Sequence, residues 1–117
     1  MALLGKGAIM NVRLYVLQRA TAAIMAPLVL AHIAVIFYAT SRGLSAAEIL
    51  GRTKGSIGWG VYYGLFVLAV SVHGAIGVRA VASEWTRLRG AGLDALMWIF
   101  GATLAALGLR AVAAVVL

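Results

Sequence analysis

The chain contains no cysteine. That absence excludes a disulfide framework, thiolate catalysis, an iron–sulfur cluster held by this chain and a c-type haem attachment. Acids are nearly as scarce. Glu48, Glu84 and Asp94 are the three among 117 residues, and all lie outside the charge-free apolar runs. No pair of carboxylates is therefore available for general acid–base hydrolysis, and neither a nucleophile triad nor a phosphate-cradling loop can be found. Proline occurs once, at Pro27, and no internal repeat is visible. Charge is missing altogether from residues 20–41 and from residues 55–78.

What is present is apolar. Hydrophobic residues make up 64% of the chain. A soluble domain of this size cannot bury that much, because small folds hide only part of the surface they carry. The chain reads as one integral membrane domain over residues 1–117. Each charge-free run exceeds the roughly 20 residues that cross a bilayer. A third run extends from Asp94 to the C-terminus, broken only by Arg110, which can snorkel to an interface. Spans in lipid are helices or closed barrels, and the runs do not alternate. The expected fold is all-α, with transmembrane helices over about 13–40, 58–86 and 92–116.

The first link, SRGLSAAEILGRTKGSIGW, is polar and glycine-rich. Its Ser45-Ala46-Ala47-Glu48 fits a capping box, which predicts a short surface helix over about 46–51. The second link, around TRLRGAG, is tight. Ten Lys and Arg residues give a net charge of +7. In a soluble protein this would suggest nucleic acid. Here the cations flank apolar runs, so lipid headgroups and topology account for them and no nucleic-acid partner is expected. Lys6, Arg13, Arg19, Arg79, Arg87 and Arg89 fall on one side, six against the four of Arg42, Arg52, Lys54 and Arg110. The excess predicts a cytoplasmic N-terminus. The opening MALLGKGAIMNVR has neither a compact basic region leading to an apolar core nor a clear cleavage site, so it does not read as a signal peptide.

Ionisable residues inside a span mark functional candidates, because lipid penalises them. Two histidines qualify, His32 and His73. Neutral imidazole ligates haem iron, and bis-histidine iron suits electron transfer. His32 lies about 20 Å along a helix from Arg19, and His73 about 17 Å from Glu84. Both rings are thus expected near mid-membrane, sharing one haem or serving two at slightly different depths with a partner chain. Around His73, Ala69, Gly74, Ala75 and Gly77 are small and leave room for a flat macrocycle, or else for close helix packing. Around His32, Leu28, Val35 and Ile36 are bulkier, and the alternative there is a polar bond to a neighbouring helix. Arg79 can reach a haem propionate, or it simply snorkels. Arg19, Tyr15, Gln18 and Thr21 form a polar cluster that suits a quinone carbonyl or an interfacial anchor. Pro27 is expected to kink or loosen the first span, and Trp59, Tyr62, Tyr63 and Trp85 read as interfacial aromatics.

Two segments resemble a known family. LQRATAAIMAPLVLAH at 17–32 and HGAIGVRAVASEW at 73–85 are similar to motifs of the small cytochrome b membrane anchors of succinate dehydrogenases and fumarate reductases. The second follows the family's H-x-x-x-G-x-R with an acidic and an aromatic residue after it. The resemblance implies a non-catalytic subunit of a succinate:quinone oxidoreductase-type complex. Substrate oxidation would lie on a partner. His73 would be an axial ligand of haem b, and His32 would match the first-helix histidine of two-haem members. One or two haems would be shared with a partner chain. Arg79 and Arg19 would meet propionates. Arg19, Gln18, Thr21, Tyr15 and Trp85 would border ubiquinone or menaquinone. Three positions depart from the pattern: Tyr15 replaces a common serine, Ala22 a glycine, and Trp85 stands where some members carry an aromatic hydroxyl. The implied partners are a flavoprotein, an iron–sulfur subunit, a second membrane anchor that completes the bundle, and the bilayer of a bacterial inner membrane. Two rival readings remain at this point: an anchor for another flavin-dependent dehydrogenase, and a haem-free three-helix structural or transport subunit.

Overall fold

The structure is a computed structural model that describes residues 6–117, with side chains described from residue 12. The first five residues of the opening segment, and the side chain of Lys6 counted for topology, lie outside that range. Four helices account for the described chain: α1 (Lys6–Ser41), α2 (Ala46–Thr53), α3 (Ile57–Trp85) and α4 (Ala91–Val116). The segments Val12–Ser41, Ile57–Trp85 and Ala91–Val116 are each long and apolar enough to cross a membrane. The all-helical, three-span expectation is met. The third and second predicted helices match to within a residue, but α1 begins at Lys6 instead of near residue 13. Sequence reasoning stopped at the cations Arg13 and Arg19. Neither breaks a helix, since arginine is a good helix former.

α3 is the central helix and packs against both α1 and α4. Its contact with α4 is built from small residues. A Cβ added to Gly101 would lie 3.0 Å from the Ala75 Cβ, and one on Gly108 only 2.5 Å from Val67 Cγ1. A Cβ on Gly60 would approach Val116 at 3.3 Å. Without hydrophobic drive between helices in lipid, such close approach supplies the dispersion contact that holds them. Arg79 Nε adds an ion pair to Asp94 Oδ1 at 3.2 Å near the 86–90 loop.

α1 meets α3 along one stripe. From residue 12 onward, its sheltered positions are Leu14, Gln18, Thr21, Met25, Leu28, Val29, His32, Val35 and Ala39. With Val29 set aside, the steps alternate four and three, the 3.5-residue repeat of a left-handed helix seam. Pro27 lies on the opposite, exposed side, and α1 remains one helix through it. One residue on, the Tyr62 hydroxyl donates to Leu28 O at 2.5 Å and ties α3 to α1.

At the other end of the molecule α2 has the predicted capping box. Glu48 N donates to Ser45 Oγ at 3.2 Å and Ser45 N to Glu48 Oε2 at 3.1 Å. α2 and the following turn also close the C-terminus of α4. The Thr53 hydroxyl donates to Val115 O and Gly55 N to Val116 O, both at 2.7 Å. These carbonyls have no partner within α4, so the two bonds satisfy groups that a helix end leaves open. Gly55 makes its bond at φ +75°, a conformation that favours glycine.

Candidate functional site

His73 sits in the second half of α3, where the α1 seam passes over it. Nδ1 of its ring lies 3.1 Å from the Thr21 hydroxyl of α1. Thr21 is buried, and its hydroxyl also donates back into its own helix, at 2.8 Å to Leu17 O and 3.1 Å to Gln18 O. Beside the ring a groove of about 500 Å³ runs along α3 toward its C-terminal end. Gly74, Gly77, Val78, Val81, Ala82 and Trp85 line it from α3, Thr86 from the cap that follows, and Gln18 alone from α1. The walls are apolar with few polar groups, which is the usual make-up of a ligand site, and the size falls in the usual range. Gln18 Oε1 is buried there without a hydrogen-bond partner.

The small residues around His73 divide between two tasks. Gly74 and Gly77 border the groove. Ala69 and Ala75 are instead buried in helix packing, Ala75 against Gly101. The expectation that Ala69 clears space on the ring's own face is therefore corrected: Ala69 belongs to the core. Gly74 does both, since a Cβ there would meet Leu104 Cδ1 at 3.0 Å.

Of the polar cluster predicted on α1, the structure brings Gln18 and Thr21 to His73 and leaves the rest aside. Arg19 and Tyr15 are exposed on another face of α1, with the guanidinium 5.8 Å from the Tyr15 ring centre. Thr21 touches the ring but does not line the groove. Trp85 reaches the groove from the far end, with 82% of its surface open. Arg79 does not line it. It stands six residues past His73, roughly 120° away around the helix, and pairs with Asp94 of α4. Asp94 was missed as a partner, although it lies across the tight 86–90 loop from Arg79.

His32 occupies a different level. It lies 11 residues beyond Thr21, or about 17 Å along α1, and meets Tyr63 and Phe66 edge-on at centroid distances of 5.7 and 5.5 Å. The two histidines of this chain therefore do not face one iron. The depth comparison counted only along each helix and did not include how α1 and α3 are staggered, which sets His73 at the level of Thr21. His32 Nδ1 is buried without a hydrogen-bond partner, so among the described residues the alternative of a bond to a neighbouring helix is not made at that nitrogen. Tyr62 and Tyr63 likewise turn inward. Tyr63 stacks on Trp59 at 5.6 Å, and Tyr62 crosses to α1. The phenol hydroxyl of Tyr62 finds its acceptor in the Leu28 carbonyl of α1.

Among the described residues, no three of His, Cys, Asp and Glu gather to hold a bare metal ion. A haem needs less from the protein, since its macrocycle supplies the equatorial ligands and the chain adds an axial nitrogen. His73 beside a glycine-bordered apolar groove fits that requirement. His32 meets two aromatic rings edge-on and does not line that groove.

No curated protein and no solved structure matches the chain. The family model for the succinate dehydrogenase/fumarate reductase transmembrane subunit matches residues 4–109. With three apolar helices and a match over most of its length, the chain is a multi-pass membrane protein and belongs to the family of succinate dehydrogenase/fumarate reductase transmembrane subunits.

Proposed function

We propose that this subunit anchors a flavoprotein and an iron–sulfur subunit to a bacterial inner membrane and holds haem b between them and the quinone pool. The observation that carries the reading is His73, with one ring nitrogen engaged by Thr21 and the ring bordering an apolar groove edged by Gly74 and Gly77. When bound, haem b supplies reversible one-electron transfer. The chain's own residues do the rest. His73 would hold the iron through a ring nitrogen, and Gly74 and Gly77 would leave the helix surface low enough for a flat group. Val78 and Val81 exclude water, and Gln18 places an unpaired amide oxygen at the groove wall.

Arg79 serves the α3–α4 contact in this reading, because its Nε is already paired with Asp94. Arg19 and Tyr15 present a cation and a hydroxyl on the open face of α1. Gln18, one residue from Arg19, connects that face to the groove. A quinone headgroup there would draw these donors from this chain and the remaining wall from a second membrane subunit, which also gives the exposed faces of α1 a neighbour. The excess of Arg and Lys near the N-terminus and the 86–90 loop supports a cytoplasmic position for that end, where the docked subunits would sit.

The test is optical. The purified complex should show a reduced b-type spectrum, and His73→Ala should abolish it while leaving the subunits assembled. A colourless wild-type complex that still reduces quinone would overturn the haem assignment.

A further inference from the structure

We infer that Thr21 is a positioning residue for His73: its hydroxyl holds the imidazole in the tautomer that carries hydrogen on Nδ1 and leaves the Nε2 lone pair free. The functional consequence rests on the haem reading above. The tautomer itself does not.

The argument is a count of hydrogens. A threonine hydroxyl has one to give. Three acceptors surround it: Leu17 O at 2.8 Å, Gln18 O at 3.1 Å and the His73 Nδ1 position at 3.1 Å. The two carbonyls can only accept. The bond to the carbonyl four residues back is the habitual one for threonine inside a helix, and it is the shortest of the three. With the hydrogen committed there, the oxygen turns a lone pair toward His73, and Nδ1 must donate. Two bonds are then made. In the other tautomer Nδ1 and Leu17 O would compete for a single hydrogen, and one bond would be lost at a threonine that is only 8% exposed. Losing a bond at a buried polar group is costly, so the first tautomer wins.

Geometry makes the contact useful. Thr21 and His73 belong to different helices, so the bond orients the ring relative to α1 as well as fixing its hydrogen. Thr21 does not line the groove while His73 does, and among the described residues nothing bonds Nε2. The free nitrogen is thus the one left for a ligand. Metal-bound histidines commonly donate their second N–H to an oxygen, which sets the tautomer and strengthens the ligand. This replaces the quinone role that the sequence suggested for Thr21.

The test needs no variant to begin. In the full chain, ¹⁵N-histidine labelled and held in lipid nanodiscs without haem, the His73 nitrogens should report a protonated Nδ1 and a bare Nε2, with His32→Gln used for assignment. A bare Nδ1 would overturn the inference, whatever the haem content of the complex. Thr21→Val should then mix the tautomers, and in the assembled complex it should lower haem affinity about 10- to 100-fold and raise the haem midpoint potential. Thr21→Ser should restore all three. A Thr21→Val complex with unchanged tautomer, affinity and potential would sink the proposal. If the wild-type complex proves colourless, the haem reading fails and the nitrogen shifts alone decide the role of Thr21.

Discussion

Arg79 Nε and Asp94 Oδ1 stand 3.2 Å apart and join α3 to the first turn of α4. The arginine side chain is 18% exposed and the carboxylate 49%. Asp94 also lies where the N-terminal end of α4 favours negative charge. Partly exposed pairs contribute modestly, so Asp94→Ala should lower stability by no more than about 1 kcal/mol. Arg79→Ala should cost a similar amount, and the double variant should cost less than the two together. Thermal unfolding of the purified protein checks this. Both variants should keep their full haem complement. Loss of haem in Arg79→Ala but not in Asp94→Ala would return Arg79 to the propionate.

Much of the fold was legible in the sequence because lipid imposes simple requirements. Two charge-free runs and a third broken only by Arg110 became three helices, and Ser45 with Glu48 formed the capping box. His73 and the glycines after it pointed to the groove. What could not be read was direction around each helix. Arg79 and Ala69 look close to His73 when counted along the chain, yet they face α4 and the core. The α3–α4 contacts do have a sequence signal in hindsight. Ala75 with Gly101, Val67 with Gly108 and Arg79 with Asp94 lie at similar distances on either side of the 86–90 loop, as a tight antiparallel hairpin requires. The α1 seam was hidden for another reason. Both faces of α1 are apolar, so no amphipathic stripe distinguished Gln18, Thr21 and His32 from their neighbours.

Gly108 is the tightest point of the α3–α4 contact. A Cβ there would stand 2.5 and 3.0 Å from the two Val67 methyl carbons. Gly108→Ala should therefore destabilise by about 1–3 kcal/mol, the usual cost of overpacking. Gly64 is the control, since an added Cβ meets nothing within 4 Å. Gly64→Ala should be neutral or slightly stabilising, because it restricts the unfolded chain. Equal effects at both positions in an unfolding assay would contradict the packing described for Gly108.

The capping box bears on α4 as well as α2. Ser45→Ala removes the acceptor for Glu48 N and should cost about 1 kcal/mol. As α2 frays, Thr53 and Gly55 should release the carbonyls of Val115 and Val116. Amide exchange should thus quicken in α2 and at the Lys54–Gly55 turn, and stay unchanged around His73. Uniform acceleration along α3 would show that the two ends of the molecule are coupled, which this arrangement does not predict.

His32 supplies the sharpest contrast with His73. Its Nδ1 is buried among Tyr63 and Phe66 with no partner, and an unsatisfied buried group costs about 1–3 kcal/mol. His32→Leu exchanges that nitrogen for carbon in an aromatic setting, with a side chain of comparable bulk. The variant should therefore unfold at a higher temperature than the wild type, and its haem count per protomer should not change. His73→Leu should do the reverse and lose its haem spectrum. If His32→Leu instead removes one haem equivalent, the unpaired nitrogen is a ligand position, and its lack of an internal partner reflects a cofactor shared with a neighbouring subunit.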